Sequence, residues 1–276
     1  MPNYVRVRIV GKDMEALKNA IVDEHDNVDF NKLIPRPKDL DITCGSFSFR
    51  EEPGKDLEAH QKIIFTFRIL YAGTKSQEEF VNKCKENDVL IELITNTYFN
   101  NKFLLEDKEQ LKEAIETYIK GFYNLTKHGF VDWYDWSNAK WGTKWNAGDS
   151  VVADDYIEFE TAWSLPTPVC EALAQVTPIR VVYADEDKGY NCGMVDFFLN
   201  EYKEVESGVV MEGSRELAYD TWGYSHIPVY DEDSYDEIED MSDPRIVEAN
   251  KDYNTIQEKI ASLMTSEELQ KDYAEV

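Results

Sequence analysis

The strongest constraint on the fold is the alternation of apolar and charged residues at the start of the chain. Residues 4–10 read Tyr-Val-Arg-Val-Arg-Ile-Val, so every second side chain is apolar. A period of two is typical of a β-strand with one buried face. Asp13 then caps a predicted helix, in which Met14, Leu17 and Ile21 form one apolar stripe. The chain therefore opens with a β-α unit.

Similar patterns continue in the second half of the chain. Residues 156–163 alternate again, residues 169–175 have helical spacing, and residues 179–183 are rich in β-branched side chains. Residues 189–198 and 202–211 predict a closing antiparallel hairpin. If residues 141–147 are extended and count as a further strand, the order is strand, helix, strand, strand, helix, strand, with an added hairpin strand. This order predicts an α+β ferredoxin-like sandwich, an antiparallel sheet with helices on one face.

Two other parts of the chain do not fit that core. Residues 38–127, approximately, form a predicted helical insertion, with helices at 77–86 and 108–123. Before it, Pro35 and Pro37 disfavour a helix over residues 30–37. The ferredoxin-like domain with its insertion accordingly occupies residues 1–212. Residues 213–276 form an acidic C-terminal extension, which ends in a predicted amphipathic helix over about 245–264.

Charge limits the classes of function. The chain has 55 acidic and 29 basic residues, a formal net charge of −26. Such an excess repels nucleic acid and anionic lipid, because phosphate binding needs cationic groups. Greater solubility is the simpler explanation, and mimicry of a phosphate backbone is the alternative. No apolar run is long enough to span a membrane and no signal-like segment opens the chain, so we expect a cytoplasmic protein.

Motifs for catalysis and for cofactor or metal binding are absent from the sequence. There is no Gly-rich phosphate loop and no nucleophile elbow, and the four cysteines lack C-x-x-C spacing. We therefore predict no catalytic residues, no metal site and no cofactor, with reduced structural thiols.

Two segments contain candidate binding residues. The first is an aromatic box whose members are Trp141, Lys144, Trp145 and Asn146. If residues 141–147 are extended, this box would present the Lys and Asn side chains beside indole rings. The alternative is that these tryptophans pack in the core. The second is a run of carboxylates with no basic residue, which is either a solvated linker or a docking surface for a basic partner. Its members are Asp231, Glu232, Asp233, Asp236, Glu237, Glu239, Asp240 and Asp243.

Several boxes together resemble the YubB ferredoxin-like family of phage and plasmid proteins. They are Met1-Pro2-Asn3, residues 30–35, Trp133-Tyr134-Asp135-Trp136 leading to residues 141–147, and Thr161-Ala162-Trp163-Ser164-Leu165-Pro166. The resemblance covers roughly residues 1–200. It implies a ferredoxin-like fold and a mobile-element origin, but no assigned reaction, since a fold does not by itself supply a function.

These observations favour a non-enzymatic interaction protein of a phage or mobile element. Its expected partner is a host protein with a basic surface, such as a restriction, CRISPR-type or other defence factor, which an acidic, DNA-like surface would inhibit. Direct nucleic-acid and membrane binding are not expected, and the oligomeric state is left open. One alternative is an enzyme or small-ligand binder that uses the box at 141–146. Another is a phage structural or assembly component.

Overall fold

The structure, a computed structural model, describes residues 3–45, 49–50, 56–232 and 234–274, apart from the side chain of Phe103. The chain divides into two units. The first unit consists of Met1–Pro35 and Ser137–Val276, and the second unit is Arg36–Trp136. The segment predicted as an insertion, about 38–127, lies within the second unit, and the predicted C-terminal extension belongs to the first.

One antiparallel sheet of six strands forms the centre of the first unit, within the described residues. The strands are β1 (Tyr4–Gly11), β2 (Gly148–Val152), β3 (Ile157–Ala162), β4 (Ile179–Asp185), β5 (Cys192–Leu199) and β6 (Val205–Met211). Their order is β2-β3-β1-β4-β5-β6. The first four strands have the ferredoxin-like order, and the predicted hairpin adds β5 and β6 beyond β4. The predicted fold class is confirmed.

The described residues of the two units also form helices. In chain order they are α1 (Met14–Ile21), α2 (Phe30–Leu33), α3 (Leu57–Tyr71), α4 (Gln77–Lys85), α5 (Asp88–Tyr98), α6 (Lys102–Glu106), α7 (Lys108–His128), α8 (Trp133–Lys140), α9 (Thr167–Ala174), α10 (Arg215–Thr221), α11 (Pro244–Ala249), α12 (Tyr253–Leu263) and α13 (Ser266–Asp272). A short 3₁₀ turn at Lys38–Leu40 follows α2.

The first face of the sheet has the apolar side chains that the alternation of β1 predicted. Val7 lies opposite Phe159 of β3, so both side chains point to this face, and both are buried. The ring of Phe30 in α2 lies 5.6 Å from that of Phe159. Since α2 also contacts α9, the helices of the ferredoxin-like core lie on this face, as predicted.

The second face is covered by the residues after Gly213. Val182, Ala184 and Met194 form an apolar cluster on β4 and β5. Leu217 of α10 and Ile260 of α12 pack against this cluster and are buried. Removing apolar side chains from water is the main source of stability in such a layer. The C-terminal segment is therefore part of the core of the first unit.

A buried arginine fixes that layer to the sheet. Arg180 of β4 is 2% exposed, and its guanidinium donates two hydrogen bonds of 2.7 Å to the Asp196 carboxylate on β5. It also donates to Asp272 and to the Leu263 carbonyl, and the Tyr273 hydroxyl donates to Asp196. Burial alone would lower the pKa of Arg180, but the two carboxylates hold it above its usual value.

The second unit has an aromatic core. The rings of Phe67 and Phe122 lie 4.7 Å apart, and Tyr118 and Phe80 pack beside them, all buried. Its longest helix, α7, begins after Asp107, whose carboxylate caps two N–H groups. The residue that caps the end of α7 is Gly129, whose left-handed φ of 78° disfavours side chains with a Cβ atom.

One condition stated for the aromatic box is not met, and two local predictions were wrong. Residues 141–145 form turns, with Gly142 at φ 76°, instead of an extended segment. A four-residue helix, α2, forms before Pro35 because the Asp29 carboxylate caps it. The predicted helix over 245–264 is interrupted at Asn250, whose side chain bonds both the N–H and the carbonyl of Ile227. An additional helix, α13, follows.

We expect Arg180→Met to lower the free energy of unfolding by about 3–5 kcal/mol, because Asp196 would remain buried without its partner. Lys271→Met is the matched control, since Lys271 forms an exposed ion pair with Glu268 in the same layer. We expect this control substitution to lower the free energy of unfolding by less than about 1 kcal/mol. Urea unfolding followed by circular dichroism measures both, and equal losses would contradict the role given to Arg180.

In the second unit we expect the free energy of unfolding to depend on pH in the acidic range through Glu116. Hydrogen bonds from Lys120 and Lys85 lower the pKa of Glu116 from 4.5 to about 2. Because the folded pKa is depressed, this contribution is present above pH 4.5 and is lost as the pH falls toward 2. Glu116→Gln should therefore be less stable than the original chain above pH 4.5, with the difference shrinking toward pH 2. Urea unfolding across this range is the measurement, and Glu113→Gln, an exposed position on α7, is the control.

Candidate functional site

Half of the predicted aromatic box is used in packing. Trp141 is buried, and its indole N–H donates to the Ile34 carbonyl at 2.9 Å. Its ring meets that of Phe30 edge-on at 5.8 Å. Asn146 accepts hydrogen bonds from the N–H groups of Phe30 and Ala147 and donates to the Asp29 carboxylate at 2.7 Å. Trp141 and Asn146 thus hold α2 against the loop at 141–147.

The other half of the box lies at the surface. The ammonium of Lys144 is 4.8 Å from the ring centroid of Trp145 and 5.2 Å from that of Trp163. Trp145 is 36% exposed and Trp163 43%. We call Lys144, Trp145 and Trp163 the indole-lysine patch. The sequence did not indicate Trp163 as a member, because this residue was assigned to the end of the predicted strand at 156–163. In the structure that strand, β3, ends at Ala162.

Trp163 has an unusual backbone conformation. Its φ is 70°, which is rare for a bulky residue and needs support from its surroundings. Its N–H donates to the Asn3 carbonyl at 2.9 Å, and its carbonyl accepts from the Asn191 side chain at 3.0 Å. These bonds hold the indole outside the sheet, where it meets Lys144.

The predicted acidic run folds into a small hairpin followed by a helix cap. Tyr230 pairs with Glu237, and the Asp231 N–H donates to the Asp236 carbonyl at 2.9 Å. The Ile238 N–H donates to the Val229 carbonyl at the same distance. We call residues 230–243 the acidic segment. Asp233 belongs to it but lies outside the described residues.

Some carboxylates of the acidic segment have structural roles. The Arg245 guanidinium donates to both oxygens of Asp243, at 3.1 and 2.9 Å, and also to Asp231 at 3.2 Å. Asp243 also caps α11. Bonds from Arg245 lower the pKa of Asp243, and bonds from the Ser242 hydroxyl and N–H lower the pKa of Asp240. These groups hold their negative charge in acid better than an ordinary aspartate.

The remaining carboxylates face solvent together with large apolar side chains. These other exposed acids are Glu232, Asp236, Glu237 and Glu239. Tyr235, which is 82% exposed with φ 60°, projects from the hairpin turn. Tyr230 and Met241 are also more than half exposed. Aromatic and Met side chains on a polar surface are typical of protein-binding sites.

The charge is unevenly divided between the two units. Residues 36–136 contain 18 acidic and 14 basic residues, whereas the rest of the chain contains 37 acidic and 15 basic residues. Nearly all of the excess negative charge therefore belongs to the first unit, which contains the acidic segment.

Among the described residues, no group of three or more His, Cys, Asp or Glu side chains could hold a metal ion. All four cysteines are buried and free. No described helix is long and apolar enough to cross a membrane. A hollow of about 870 Å³ lies beside α7 in the second unit, and none of the predicted site residues line it.

Strand order and helix placement define a ferredoxin-like α+β protein. In agreement, a family model described as a ferredoxin-like domain in Api92-like protein matches residues 140–223, under a third of the chain. The match contains β2 to β6, α9, α10 and the indole-lysine patch, but not the acidic segment. No curated protein and no solved structure matches the chain.

The two halves of the box should respond differently to substitution. We expect Asn146→Ala to lower the free energy of unfolding by about 1–3 kcal/mol, because buried N–H groups lose their acceptor. Lys144→Ala should cost less than about 1 kcal/mol, as expected for an exposed cation–π contact. Urea unfolding of both variants provides the comparison. A larger loss for Lys144→Ala than for Asn146→Ala would reverse the assignment.

Proposed function

We propose that this protein binds a protein with a basic, nucleic-acid-binding surface through its acidic segment, and thereby blocks that surface. The observation that carries the proposal is the row of exposed carboxylates interleaved with Tyr230, Tyr235 and Met241. Carboxylates attract the basic partner and set the salt dependence, while the apolar side chains supply contact area that charge alone lacks.

Charge complementarity favours such a partner over nucleic acid itself. A first unit with 37 acidic and 15 basic residues repels phosphates and attracts the Lys/Arg surfaces that bind them. The exposed carboxylates then act as phosphate mimics. In the YubB-like setting that the sequence resembles, the partner is a host restriction, CRISPR-type or other defence factor, and binding takes place in the cytoplasm of a bacterial host.

Neutralising the exposed carboxylates without changing their shape tests the proposal. The variant is Glu232→Gln, Asp236→Asn and Glu239→Gln, which leaves the bonds of Asp231, Asp240 and Asp243 in place. Its matched control is Glu171→Gln, Glu201→Gln and Glu204→Gln, three exposed acids elsewhere in the first unit. The immobilised proteins are exposed to bacterial lysate at about 50 and 400 mM salt, because screening weakens a charge-driven complex.

We expect DNA-binding proteins to be retained at low salt by the original chain and the control, and about tenfold less by the acidic-segment variant. The purified partner should also lose DNA on addition of this protein. Equal retention by the variant and its control, or retention indifferent to salt, would refute docking through the acidic segment.

The indole-lysine patch supports a second candidate function, binding of a small anionic or aromatic ligand. The observation in its favour is the left-handed backbone at Trp163, which holds an exposed indole beside Lys144. Ligand binding should then be lost in Lys144→Ala while the stability of the fold is retained. The apolar side of α12 offers no comparable support for assembly, because Tyr253 and Ile260 are buried within this chain.

A further inference from the structure

The ammonium of Lys188 is surrounded by aromatic rings. It lies 5.2 Å from the ring centroid of Tyr224 and 5.8 Å from those of Tyr219 and Trp222. Each distance is within the range at which a ring quadrupole attracts a cation. We call Tyr219, Trp222 and Tyr224 the aromatic cage. None of these residues belongs to the acidic segment.

The end of α10 builds two walls of the cage. After Trp222 the chain passes through Gly223, whose φ is 77°. The Gly223 N–H donates to the Asp220 carbonyl and the Tyr224 N–H to the Tyr219 carbonyl, the pair of bonds of a Schellman motif. This turn brings the rings of Tyr224 and Tyr219 to 5.1 Å at an angle of 75°. Helix termination therefore fixes these two rings.

The third wall is fixed to the sheet. The indole N–H of Trp222 donates to the carbonyls of Ala184 and Asp185, each at 3.0 Å. The Arg6 guanidinium lies 4.4 Å from the same ring, and its charge is offset by Glu160 at 2.9 Å. The ring positions thus do not depend on Lys188.

Lys188 enters the cage from the turn between β4 and β5. Its backbone is left-handed, with φ 53°, and its ammonium donates to the Glu186 carbonyl at 2.9 Å. Glu186 and Asp187 add negative charge to the same turn. The site therefore already holds an alkylammonium group, on a side chain with several rotatable bonds.

We propose that the aromatic cage is a binding site for a quaternary ammonium group, such as a trimethylated lysine side chain, and that Lys188 fills it until the ligand displaces it. A quaternary ammonium has no N–H groups to hydrate, so it leaves water more readily than the Lys188 ammonium does. Aromatic cages are the usual protein sites for such groups. The inference is independent of the acidic segment.

Tetramethylammonium chloride is the probe, titrated into the full chain and followed by NMR, with sodium chloride at equal ionic strength as the blank. We expect Lys188→Ala to bind the probe about tenfold more tightly than the original chain, because the competing ammonium is gone. If Lys188→Ala folds poorly, Lys188→Gln is the variant to use. It retains most of the side-chain stem, and it should show the same gain in affinity for the probe. Lys203→Ala is the matched control, a lysine with φ 62° in the next hairpin turn.

Adding Tyr224→Leu to Lys188→Ala should abolish the gain, since one wall is removed while the Tyr224 carbonyl still accepts from Tyr253. A site that merely supports the fold would lower the thermal stability of the Lys188 variants without any gain in probe binding, and that result would overturn the proposal. Equal affinity in the original chain, Lys188→Ala and Lys203→Ala would overturn it as well.

Discussion

The buried pair of Arg180 and Asp196 determines how the first unit is completed. A guanidinium placed inside a sheet must have its hydrogen-bonding groups satisfied, and the C-terminal residues supply what β5 does not. Asp272 and the Leu263 carbonyl accept from Arg180, so α12 and α13 are held on the second face beside the apolar cluster of β4 and β5. The residues after 213 therefore complete a core that the ferredoxin-like strands leave open.

This anchoring gives the acidic segment a defined place in the first unit. It is connected to α10 on one side and to α11 on the other, and Arg245 joins its two ends through Asp231 and Asp243. A run of like charges repels itself. Here the repulsion is reduced by one arginine and by hydrogen bonds to Asp240, which leaves the other carboxylates directed to solvent. The acids with structural roles thus lie toward the two ends of the segment, with exposed acids between them.

Aromatic residues in this chain have two distinct uses. Trp141 and Phe30 fill the core on the first face of the sheet. Trp145, Trp163 and the aromatic cage stay partly exposed, and each lies beside a lysine. A ring that is half in water gains from a cation on its face, whereas a fully buried ring gains from dispersion and from removal of apolar surface. Burial, and not residue type, therefore separates packing from binding candidates.

The sequence alone determined β1 and β3, because a period of two over residues 4–10 and 156–163 is compatible with little else than half-buried β-structure. It also predicted the ferredoxin-like fold class and the position of the acid run. It did not reveal α3, α5 or β2. It also did not reveal the break at Asn250, which depends on hydrogen bonds to the distant Ile227. Whether a given Trp, Lys or Asp is structural or exposed was decided only by tertiary structure. The alternating pattern reports which face of an element is apolar, but hydrogen bonds such as those of Asn146, Arg180 and Arg245 form only when separate segments meet.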